Sequence, residues 1–123
     1  MRRALGLLLF ALLVGGALTV PAARSASPDV VVSQVYAGGG NAGAPFVSDY
    51  VELFNHGSSA VDVGGWTVQY ASAAGASWQL TALTGSIAPG RHYLVGLAAG
   101  TVGAALPSAD ATGTSNLAVS GGR

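Results

Sequence analysis

From residue 30 onward, apolar and polar positions alternate in short runs separated by glycine-rich breaks. Val30-Val31-Val32-Ser33-Gln34-Val35-Tyr36 is rich in β-branched residues and predicts a strand. Ala37–Pro45 is too rich in glycine for a helix or a regular strand and predicts a loop. In Asp49–Asn55, Val51 and Leu53 share one face, while Tyr50, Glu52 and Phe54 share the other. His56-Gly57-Ser58-Ser59 predicts a turn. Val61 and Val63 alternate around Asp62 before Gly64-Gly65 breaks the run. Trp66, Val68 and Tyr70 then fall on one face of the next strand.

Ala71–Ser77 reads as a flexible connection, and Trp78-Gln79-Leu80 resumes the alternation. In Ser86-Ile87-Ala88-Pro89-Gly90, proline presets the first central position of a turn and glycine accepts positive φ at the second. Arg91–Val95 predicts the strand that follows. After Gly96 the pattern fades, and Leu117-Ala118-Val119 is a last short apolar segment. No stretch after Ser27 sustains a helical period. Short strands between glycine-rich turns predict an all-β sandwich or barrel.

The first 26 residues do not belong to that pattern. Arg2-Arg3 is a positive start, Ala4–Val20 is an unbroken apolar run, and Pro21–Ser27 adds a helix breaker and small residues. This is the layout of a secretory signal peptide, removed between Ala23 and Ser27. The alternative is a membrane anchor, for which the run is short of the ~20 apolar residues a span needs. The expectation is a signal peptide over residues 1–26, a domain over 27–123, a secreted or cell-surface location, and no membrane attachment after cleavage.

Composition narrows the function. The chain has 123 residues, five of them arginine, with no lysine and no cysteine. This length allows one small domain, and the missing thiols exclude a disulfide scaffold, thiolate zinc and cysteine catalysis. Removal of residues 1–26 leaves two arginines against five carboxylates, a net charge of −3. That balance argues against a nucleic-acid binder, whose affinity rests on cations neutralising phosphates.

Candidate chemistry is sparse. Asp49 and Glu52 are of the oxygen-ligand type that holds calcium, but neither stands in an EF-hand or repeat spacing. At the edges of a strand, Asp49 and Asn55 read as turn formers. Glu52, among apolar residues, needs a partner if buried, and Arg91 is one choice. His56 and His92 are the imidazole bases, yet no nucleophile and carboxylate are spaced around either as hydrolysis requires. Gly38–Gly43 lacks the Lys-Ser/Thr ending of a phosphate loop. Trp66 predicts a core anchor, and Trp78 is the better placed of the two tryptophans for an exposed aromatic platform.

Four elements in order, SQVYAGGGN (residues 33–41), DYVELFN (49–55), the Gly64-Gly65-Trp66 turn and IAPGRHYLV (87–95), resemble a bacterial lamin-tail domain. The resemblance runs from Val30 to Gly122. It implies an immunoglobulin-like β-sandwich in which Gly65, Trp66, Asn55, Pro89 and Gly90 are structural. It also implies a non-catalytic accessory module for binding, targeting or spacing, with no cofactor. The ligand would be a cell-surface glycan, a protein or, less favoured, nucleic acid. Such domains often precede an endonuclease/exonuclease/phosphatase-type domain in secreted proteins, so a truncated front portion of such a protein is the alternative. Family members usually continue beyond the segment matching SGG with further strands. The expectation is therefore a sandwich lacking its closing C-terminal strands; a naturally minimal domain is the other reading.

Overall fold

The computed structural model describes residues 27–120. The segment read as a signal peptide lies outside the described residues. Among the described residues eight strands are present: β1 (Val30–Tyr36), β2 (Ser48–Asn55), β3 (Val61–Asp62), β4 (Thr67–Tyr70), β5 (Gln79–Ala82), β6 (Ser86–Ile87), β7 (His92–Ala99) and β8 (Ala111–Thr112). The main sheet has the order β1-β2-β7-β8, and two ribbons, β3-β6 and β4-β5, make up the rest. All pairings are antiparallel except β7 with β8.

Alternation decides which side of the main sheet is dry. Val51 and Leu53 of β2 and Tyr93, Val95 and Leu97 of β7 are buried together. Val63, Leu83 and Ile87, contributed by the ribbons and their ends, join the same cluster, as does Leu117. Burial of each such valine or leucine contributes about 1.5–3 kcal/mol. Trp66, Val68 and Tyr70 are half-buried and pack on its margin, so Trp66 anchors the β4 ribbon to the core. This is the immunoglobulin-like β-sandwich architecture.

Two turns connect these layers. In Val63–Trp66, the Trp66 amide donates to the Val63 carbonyl at 3.0 Å; in Ala88–Arg91, the Arg91 amide donates to the Ala88 carbonyl at 3.1 Å. Gly65 (φ 79°) and Gly90 (φ 70°) occupy the second central position of each, where a side chain is disfavoured. Pro89 presets the position before Gly90.

Two expectations about the C-terminal half need correction. The strand beginning at His92 does not fade at Gly96 but runs to Ala99. Gly96 is buried there because Ala109 crosses it so closely that a Cβ would sit 3.3 Å from the Ala109 Cβ. The stretch after Gly96 also contains β8, which pairs Ala111 with Val95 and Thr112 with Gly96.

Candidate functional site

Most polar groups that drew attention in the sequence serve the framework. Asn55 ends β2 and is fully buried. Its Nδ2 donates to the carbonyls of Ser59 and Ile87, both at 2.8 Å, and its Oδ1 accepts the Gly57 amide at 2.9 Å. One side chain thus closes the His56–Ser59 turn and ties it to β6.

Asp49 acts over a longer range than a turn former does. It is buried, and its Oδ1 accepts the Gly39 amide at 2.7 Å while its Oδ2 accepts the Leu117 amide at 2.8 Å. A buried carboxylate is tolerable when charge-assisted bonds of this kind replace its hydration. The carboxylate joins the loop after β1 to the segment that delivers Leu117 to the core.

Glu52 points to the opposite face of β2. Its Oε1 accepts from Ser33 Oγ at 2.8 Å and lies 3.7 Å from His92 Nε2. It is not buried, and Arg91, proposed from the sequence as its partner, does not contact it. Alternation explains the exchange: His92, opposite Phe54 in register, shares the outer face with Glu52, while Arg91 lies in the turn. The His92 ring also stacks on Phe54, with centroids 4.6 Å apart. Asp49 and Glu52 therefore belong to different faces of one strand, and the described residues contain no group of three or more side chains that could hold a metal ion.

His56 is exposed in its turn. Arg91 and His92 flank an open cleft of about 500 Å³, whose wall includes Asp110 and Tyr93. Asp110 Oδ2 accepts the Leu94 amide at 2.7 Å, and Tyr93 Oη donates to the Thr84 carbonyl at 2.9 Å. Both groups are thereby held to the backbone around the cleft.

One exposed patch is apolar and aromatic. Trp78, just before β5, is 48% exposed, and Leu80 is 62% exposed. Leu80 lies opposite Gln69 of β4, also exposed, so an indole, an aliphatic chain and a primary amide border one ribbon.

A family model described as Lamin Tail Domain matches residues 23–122. The chain belongs to the lamin tail domain family. Searches of curated proteins and of solved structures give no match. The lamin tail match spans both ribbons and the main sheet, so the Asn55 and Asp49 bonds and the Trp78 surface all lie within the domain.

One cluster in this lamin tail domain has no counterpart in the sequence reading. Tyr36 and Tyr50, paired in register, stack at 5.2 Å, and Phe46 meets them edge-on at 5.6 and 6.0 Å. The signal for it was present in Tyr50, which alternation places on the outer face with Glu52. An aromatic residue on that face needs cover, and the loop supplies it through Phe46.

Proposed function

We propose that this lamin tail domain is an exported, non-catalytic module that works by contact, holding or targeting whatever it accompanies. The observation that carries this reading is the half-exposed Trp78 beside Leu80 and Gln69. An indole face with a neighbouring amide suits the apolar face and hydroxyl rim of a sugar ring, so a cell-surface glycan is the favoured ligand. The acidic balance outside residues 1–26 disfavours nucleic acid, since phosphates would meet few cations.

The test is an NMR titration of the isotope-labelled chain with soluble cell-wall glycan fragments. Shifts of the Trp78 indole and the Leu80 and Gln69 amides, lost in Trp78→Ala, are expected. Saturating fragment with no change at these signals refutes the glycan assignment. Hydrolysis of plasmid DNA or of a phosphomonoester above that of a mock preparation refutes the non-catalytic part. Whether the domain acts alone or as the front portion of a secreted nuclease or phosphatase is decided by reading the DNA downstream of codon 123 in all three frames.

A further inference from the structure

Beyond Val30, which packs against the core, the inner face of β1 is exposed. Val32 and Val35 lie opposite Leu53 and Val51 of β2 and so face the same side of the sheet. Their partners are buried, yet Val32 is 59% and Val35 61% exposed. Among the described residues the far edge of β1 is also unpaired, because the main sheet ends there. An uncharged, proline-free edge of seven residues is a template for another strand.

We infer that β1 is a self-association edge, pairing antiparallel with β1 of a second copy of this chain across a two-fold axis. The strand is complementary to itself in one register. With Val32 opposite Val35 of the second copy, inner face meets inner face, and Val31 falls opposite Tyr36, both on the outer face. The bulge between Val32 and Gln34 lies at the axis, flanked by two equivalent Val32–Val35 pairs. Asp29, the carboxylate adjoining β1, falls opposite Gly38 of the second copy and meets no like charge.

Charge selects the same edge. Among the described residues, five carboxylates stand against Arg91 alone, so two copies repel over most approaches. The Val-Val-Val-Ser-Gln-Val-Tyr strip carries no charge and gives the least repulsive line of contact. One strand's length places the contact near the small end of specific interfaces, about 1,000 Å² over both partners, and the dimer is concentration-dependent. This inference does not rest on the glycan-binding reading.

Sedimentation velocity on the full chain across a concentration series tests it, at low and high salt. A reversible monomer–dimer equilibrium is expected, tightening as salt screens the repulsion. Val35→Lys should weaken it at least about tenfold by setting two cations beside the two-fold axis, whereas Leu80→Lys on the β5 surface should leave it unchanged. Val35→Thr keeps a β-branched side chain and should give an intermediate loss if the lysine variant does not fold by circular dichroism. A chain that stays monomeric throughout overturns the inference, as does association indifferent to substitution at Val35, equally sensitive to Leu80→Lys, or loosened by salt. That last result would point to attraction between opposite charges.

Discussion

Replacing Asn55 by alanine removes three hydrogen bonds at once from a fully buried site. The bonds to Ser59, Ile87 and Gly57 measure 2.8, 2.8 and 2.9 Å. At about 1 kcal/mol net for each, the loss is ~3 kcal/mol, and more if the freed carbonyls and amide stay dry. A domain of about a hundred residues has only 5–15 kcal/mol in total. Each kcal/mol moves its melting temperature by roughly 4–8 °C, so a fall of roughly 12–24 °C is expected. Urea unfolding followed by tryptophan fluorescence measures the free energy directly, since Trp66 packs on the core margin. Asn55→Asp separates the terms: it keeps the acceptor for the Gly57 amide, loses both donors and buries a charge. It should be at least as destabilising as Asn55→Ala. If Asn55→Ala unfolds within about 1 kcal/mol of the parent at unchanged denaturant slope, the assignment of Asn55 as the tie between turn and β6 is refuted.

Three further outcomes follow from the same geometry. Asp49→Asn keeps the shape but turns one acceptor into a donor facing an amide, and should cost about 2–4 kcal/mol in urea unfolding. Gly40→Ala places a methyl into the backbone of Gly100 at positive φ, while Gly90→Ala meets open space. The first should prevent soluble expression or fall more than 10 °C in melting temperature, and the second should cost only about 1–2 kcal/mol of strain. Trp78→Ala should lower glycan-fragment affinity at least about tenfold with the melting temperature almost unmoved, as read by calorimetric titration and thermal circular dichroism.

The strands built from β-branched residues were legible because their identity is local. Val30–Tyr36 and the run ending at Asn55 appear where alternation and flanking turns put them. The Pro89-Gly90 and Gly65 turns were legible for the same reason, since φ preference belongs to single residues. Beyond Gly96 the chain is mostly alanine, glycine, serine and threonine, and side chains that small carry little periodic signal. Their conformation is decided by what crosses them, as Ala109 crosses Gly96. Register was equally hidden, which is why Arg91 stood in for His92 as the neighbour of Glu52. Asp49 looked like a local turn residue because nothing near it in sequence names Leu117 as its partner.

That reach has a kinetic corollary. One carboxylate holds amides from opposite ends of the described chain, Gly39 and Leu117. The latch cannot shut until the last core residue has been synthesised, so docking of the tail belongs late in the folding sequence, after the distant pairing that slows such topologies. When the folded domain breathes, release of the tail frees the Leu117 amide alone, because Gly39 bonds the other carboxylate oxygen, so Leu117 should exchange with deuterium ahead of Gly39.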